Sequence, residues 1–217
     1  MVSLDYKIKR IREILNTEYY PVGIKILKDT ISQWNKSFQD VSKDKRFCFY
    51  VRQAAVKGNK YIIKKESVLE CHTPFLCLGF KEPKYVDFDT CIKPANTKIV
   101  LIGPVNKIET QIDSIIFVVN PRQAMILTNA LQRFLKKKID ANFGASMAVC
   151  GEIVAFTIIK QAPNLSVLCE GARTFSNYTD DELVFGVPFQ FFDSLYTNLE
   201  RIDKLKEIIE RKKSRSD

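Results

Sequence analysis

Six cysteines and one histidine are the side chains of this 217-residue chain best suited to chemistry. Cys48, Cys71, Cys77, Cys91, Cys150 and Cys169 are scattered, with no Cys-x-x-Cys pair among them. Several stand beside glycines or at the ends of apolar runs, where the backbone can bend and bring distant thiols together. A thiolate is a soft metal ligand and a nucleophile, so shared ligand or thiol chemistry is one reading. The other is burial, because free cysteine behaves as a small apolar side chain. Cys48 between Phe47 and Phe49, Cys77 between Leu76 and Leu78, and Cys150 after Ala148-Val149 suit burial. Cys71, flanked by Glu70 and His72, and Cys169, followed by Glu170-Gly171, suit it less.

His72 could ligate a metal or, when charged, lower the pKa of a thiol. Next to Cys71 in an extended segment the two side chains diverge, and a surface position is the plainer expectation. A cysteine hydrolase or transferase needs a base beside its nucleophile. No nucleophile elbow or protease-like context surrounds any of the six.

The charge balance is 34 basic to 25 acidic residues, a net charge of +9. The excess is spread along the chain. Its densest clusters are Lys136-Lys137-Lys138 and the tail from Arg211, and the stretch before the tail also carries Asp203, Glu207 and Glu210. No nucleic-acid motif accompanies them, so nucleic acid is not the expected partner. The 46% hydrophobic and 27% charged content is that of a globular protein. No apolar run approaches the roughly 20 residues that span a bilayer. The first 15 residues lack the uninterrupted apolar core of a signal peptide. The expected location is the cytosol, where thiols stay reduced.

Periodicity lays out the elements that must position these groups. Leu4, Ile8, Ile11 and Leu15 recur at helical spacing, Tyr20-Pro21 breaks the pattern, and residues 22–27 alternate as a strand. Residues 28–45 read as a polar loop. Residues 47–56 read as a helix stopped by Gly58, residues 60–65 as a strand, and Thr73-Pro74 as a helix entry capped by the threonine. Residues 81–96 read as irregular. Residues 98–104 and 113–119 read as strands, the second apolar throughout and so covered on both faces. It runs into Asn120-Pro121-Arg122-Gln123, which has the cap, first-turn proline and capping-box partner of a helix start. Residues 146–159 read as a helix, with a strand left open by the β-branched run from Ile153 to Ile159, and 165–169 read as a strand. Thr179-Asp180-Asp181-Glu182 reads as the capping box of a short helix ended by Gly186, and residues 189–211 as a long amphipathic helix with an apolar stripe through Ile209. The expectation is a single α/β domain, residues 1–217, with a mixed β-sheet flanked by helices. The stripe of the last helix packs on the core or on a second copy, making a homo-oligomer.

Motifs along the chain resemble a known family. They are Cys48 followed by Ala54-Ala55-x-x-Gly58, Cys71 followed by Leu78-Gly79, and Asn120-Pro-x-Gln-Ala-Met125. Further along come Cys150-Gly-Glu152, Cys169-x-Gly171-x-Arg173 and Asp181-Glu-Leu-x-Phe-Gly-x-Pro188. Their order and spacing resemble the domain of unknown function 169, found in archaea and anaerobic bacteria, over residues 15 to 200. The resemblance implies an anaerobic prokaryotic source and sorts the cysteines. Cys48, Cys71, Cys150 and Cys169 fall at the family's cysteine positions; Cys77 and Cys91 do not. The family tends to carry two glycines after its second cysteine, where this chain has His72-Thr73-Pro74.

With gaps of 23, 79 and 19 residues, those four cysteines can meet only through the fold. Thiolates repel and are costly to bury unpaired, so four together call for a cation or a cluster. Scattered ligands without a close pair tilt the expectation from zinc to an iron–sulfur cluster. Such a site implies redox work with an electron-transfer partner, or Lewis-acid activation of a small ligand. Two other readings stand beside it. A metal-free module would bind a small anion through Asn120, Arg122 and Arg173, helix N-termini being anion sites. Alternatively, a polyanion would bind the basic tail, residues 211–217.

Overall fold

Apolar residues alternate along the strands, and this period of two divides the interior into two cores. In a computed structural model, residues 2–29, 37–83, 90–142 and 144–213 are described, with the side chains of the last helix to residue 208. The elements in chain order are α1 (Leu4–Leu15), β1 (Val22–Leu27), β2 (Gln39–Asp40), α2 (Phe47–Lys57), β3 (Tyr61–Lys64) and α3 (Thr73–Cys77). Then follow β4 (Ile99–Pro104), β5 (Ser114–Val119), α4 (Pro121–Leu135), a π-helix (Ala148–Ala155) continuing into α5 (Phe156–Lys160), β6 (Asn164–Ser166), α6 (Glu170–Ser176), β7 (Leu183–Pro188) and α7 (Phe192–Lys213).

The strands form one mixed seven-stranded sheet in the order β2-β3-β4-β1-β5-β7-β6. Among the described residues only β2 and β3 run parallel; the other neighbours are antiparallel. On one face Tyr61, Ile63, Val100, Ile102, Ile116 and Val118 pack under α2, α3, the π-helix and α6. On the other, Ile62, Leu101, Ile115 and Phe117 pack under α1, α4 and α7. The molecule is therefore an α/β domain covered on both sides. No helix among the described residues is long and apolar enough to cross a membrane.

Most elements lie where the pattern puts them. The capping box at Asn120 and Gln123 is present in both directions, and Gly58 ends α2 with φ 68°. Three expectations need correction. Thr73 opens α3 but does not cap it: the N-cap is His72, without a side-chain bond. The 165–169 strand stops at Ser166, and Cys169 is instead the N-cap of α6. The helix expected after Thr179 is β7. Glu182 does reach back to the Thr179 N–H at 2.8 Å, but the turn ends there, because β-branched Val184 and Val187 are pulled into the sheet between β5 and β6. The 28–45 loop holds the short β2. Parts of that loop and of the 81–96 segment, Ile209 in the stripe of the last helix, and the end of the basic tail lie outside the described residues. In α7, Phe192, Leu195 and Leu199 are buried on the core while Leu205 and Ile208 are exposed.

Candidate functional site

On the face covered by α2, four segments that are remote in sequence surround one cavity of about 320 Å³. Cys48 comes from the first turn of α2, Cys71 from the approach to α3, Cys150 from the π-helix and Cys169 from the cap of α6; all four line it. These are the four cysteines that the resemblance singled out. Cys77 and Cys91 are buried and do not line the cavity. His72 is exposed and does not line it, although Cys71 and Thr73 on either side do.

Three of the four thiols have a local contact. Ser176 Oγ donates to Cys48 Sγ at 3.3 Å, Cys71 Sγ donates to Thr73 Oγ1 at 3.4 Å, and Cys150 Sγ points at the Met147 carbonyl at 3.8 Å. Burial pushes the Cys48 thiol up to about 11, the Ser176 bond opposing it and the charges of Cys169 and Cys71 adding to it. The Cys150 thiol is pushed well above its usual value by its bond to Cys77 and by burial, with Cys48 and Cys71 adding repulsion. Each thiolate thus raises the cost of the next. The cavity favours protons on the Cys48 and Cys150 sulfurs until a cation displaces them, so any metal would bind with proton release and more tightly as pH rises.

Arg46 is the cation at the wall. It precedes α2, donates from Nη2 to Glu70 Oε1 at 2.8 Å, and lies 4.0 Å over the Phe175 ring. Its Nη1 rests against Gly171, where any Cβ would collide with it. Glu70 holds the guanidinium charge above its usual range, and the Cys71 and Cys48 charges add to this. Its Nε is buried without a hydrogen-bond partner among the described residues.

The backbone around the cavity departs from regular geometry. Ala145, Met147 and Leu168 have φ of 53°, 53° and 68°, a region that costs side-chain-bearing residues roughly 1–2 kcal/mol each. The π-helix beginning at Ala148 is a second irregularity; such turns concentrate at functional sites. Buried Glu152 pins the loop before it, accepting from the Gly144 N–H at 2.7 Å, the Ser146 N–H at 3.2 Å and Ser166 Oγ at 2.6 Å. Gly151 is closely packed as well: a Cβ there would stand 3.1 Å from Met147 Cβ and 3.3 Å from Cys77 Sγ, and these neighbours would have to give by a few tenths of an ångström.

The residues of the anion reading lie elsewhere. Asn120 spends its side chain on the cap of α4, and Arg122 is exposed in that helix's first turn. Arg173 donates to the Val167, Thr179 and Glu182 carbonyls. None of the three lines the cavity. Arg46, Met147 and Glu152 are the site residues that reading for thiols overlooks. Arg46 did carry a signal: helix N-termini favour acidic side chains, and a basic residue just ahead of Phe47-Cys48 with no acid in the first turn marks a tertiary partner.

No solved structure matches the chain. It is 21% identical over 226 residues to the uncharacterized protein MJ0308 of Methanocaldococcus jannaschii, an alignment covering 93% of this chain and 90% of that protein. The model of the family described as uncharacterised ArCR, domain of unknown function 169, matches residues 10–91 and 85–198. Those spans take in all six cysteines and every segment that lines the cavity, and the chain belongs to that family.

Proposed function

We propose that the cavity holds an iron–sulfur cluster ligated by Cys48, Cys71, Cys150 and Cys169. One observation carries the reading: four thiols from four separate elements line a single cavity of about 320 Å³. Four thiolates are the usual ligand set of such clusters. A single tetrahedral zinc is less well supported, because it draws its sulfurs to within about 3.8 Å of one another at Zn–S distances near 2.3 Å. No three His, Cys, Asp or Glu side chains among the described residues are grouped as one ion requires. A cluster contains several metal atoms and accepts thiolates set farther apart.

When bound, the cluster supplies electron transfer or Lewis-acid activation of a small ligand. The chain's own residues do the rest. Arg46 offsets the negative charge of the thiolates from the wall. Ser176 donates to the Cys48 sulfur, and Thr73 can turn its hydroxyl to donate to Cys71 once that thiol is deprotonated. Both bonds, with the cation, favour the more reduced state of a cluster. Phe47, Pro74 and Val149 supply the apolar wall that limits water.

The test is anaerobic purification with iron and acid-labile sulfide analysis, followed by chemical reconstitution. The expected protein is brown and holds both elements. Single Cys→Ala changes at 48, 71, 150 or 169 lower both contents, whereas Cys91→Ala does not. A reconstituted protein free of iron and sulfide sinks the reading, and stoichiometric zinc alone replaces it with a mononuclear site.

A further inference from the structure

Among the described residues that line the cavity, Arg46 is the one cation. Its guanidinium is held from three sides. Nη2 donates to Glu70 Oε1 at 2.8 Å, Cζ lies 4.0 Å from the centre of the Phe175 ring, and Nη1 takes the place that a side chain on Gly171 would occupy. That same place is 4.0 Å from Cys169 Sγ. Nη1 and the Cys169 sulfur therefore both border the space over Gly171, on the cavity wall. The bond to Glu70 is the guanidinium's one hydrogen bond among the described residues, so Nη1 is left without an acceptor. A guanidinium is a planar fork that matches oxyanions such as carboxylates.

We propose that Arg46 is the docking point for a small carboxylate, which enters the cavity and lies beside Cys169. Charge and shape select this class. Glu70 already spends part of the guanidinium's charge, and Glu170 also lines the cavity, so a monoanion suits the site better than a phosphate dianion. Phe47, Pro74 and Val149 offer the carbon body of such an acid an apolar wall. A volume of about 320 Å³ stands at the lower end of ligand pockets and keeps that body short. With a cluster bound, less of the space remains, and the carboxylate becomes the small ligand set against it. That consequence rests on the function proposed above; the carboxylate site does not.

Two alkylating reagents of similar size test this, iodoacetate with a carboxylate and iodoacetamide without one. The full chain, reduced and freed of metal by a chelator, is treated with each, and the rate at every cysteine is followed by mass spectrometry of the digest. Both reagents consume the same thiolate, so the readiness of Cys169 to ionise cancels from the ratio of the two rates. At Cys169 the ratio of iodoacetate to iodoacetamide should exceed that of the urea-unfolded chain by roughly tenfold, as a charge-assisted hydrogen bond allows. Arg46→Gln should return it to the unfolded ratio. Propionate should slow labelling of Cys169 in the wild type, and propionamide should not. An unfolded-like ratio in the wild type, a ratio unchanged by Arg46→Gln, equal protection by propionate and propionamide, or a Cys169 that neither reagent labels each overturn the proposal. The wild-type ratio and the propionate competition decide it even where Arg46→Gln does not fold. No cluster is present during labelling, so this site and the cluster reading fail separately.

Discussion

Tyr178 shows how single side chains hold the thiol-bearing segments in place. Its phenol is 4% exposed and donates to the Cys48 carbonyl at 3.2 Å, tying the segment after α6 to α2. Burial raises its pKa well above that of a free tyrosine, and the Cys48 charge adds to the effect. A group whose folded pKa is raised gives its full stabilisation below the unfolded value, about 10 for tyrosine, and loses it as pH climbs toward the folded value. Tyr178→Phe should therefore cost about 1 kcal/mol at neutral pH through the lost hydrogen bond. It should also flatten the alkaline fall in stability. Urea midpoints near about pH 8 and about pH 11 check this, and equal slopes for both proteins refute it. At this scale the sequence was only half legible. The thiols announce themselves by type, but Arg46 and Glu152 look like any surface charge until the fold supplies Glu70, Phe175 and the 144–146 backbone as their partners.

Among the elements, the π-helix needs the closest fit, because it carries Cys150 and lies directly on β7. Gly186 makes that approach possible: a Cβ there would fall 2.7 Å from Ile153 Cγ2 and 2.9 Å from Thr157 Cγ2. Neither methyl can retreat. Ile153 and Thr157 are fully buried, and Thr157 Oγ1 is fixed by Ser114 Oγ at 2.7 Å and the Val154 carbonyl at 2.9 Å. Gly186→Ala should destabilise the protein by about 1–3 kcal/mol, the range for overpacking a core, and chemical denaturation measures it. A neutral effect would mean the π-helix slides freely on the sheet. Gly186 also shows where local reading fails. After a capping box it looks like a helix stop, whereas it is a close contact within a strand. Local signals fix α1, α2 and α4 well, because each has its own stripe and a cap at one end or both. The 179–188 segment takes its structure from β5 and β6 on either side, and no window of its own sequence contains them.

At the scale of the whole molecule, the sheet separates the residues that stabilise from those that surround the cavity. Five of the six cysteines pack in or against the core under α2 and the π-helix, and Cys71 lines the cavity on that same face. The opposite core, under α1, α4 and α7, contains no cysteine and is built from aliphatic and aromatic side chains. Between the two lies the sheet, whose register is fixed along β1, β4, β5 and β7. A cavity opened on the far side should therefore lower global stability without moving the thiols. Leu131, fully buried in α4, is the position to test. Leu131→Ala should cost about 2–5 kcal/mol, read from the urea midpoint, while iron and sulfide per folded molecule stay at the wild-type level. Cys48→Ala should do the reverse, lowering iron and sulfide with a smaller change in midpoint. Equal loss of iron in both variants would mean that the two faces are coupled through the sheet, and the division of labour between the cores would fall.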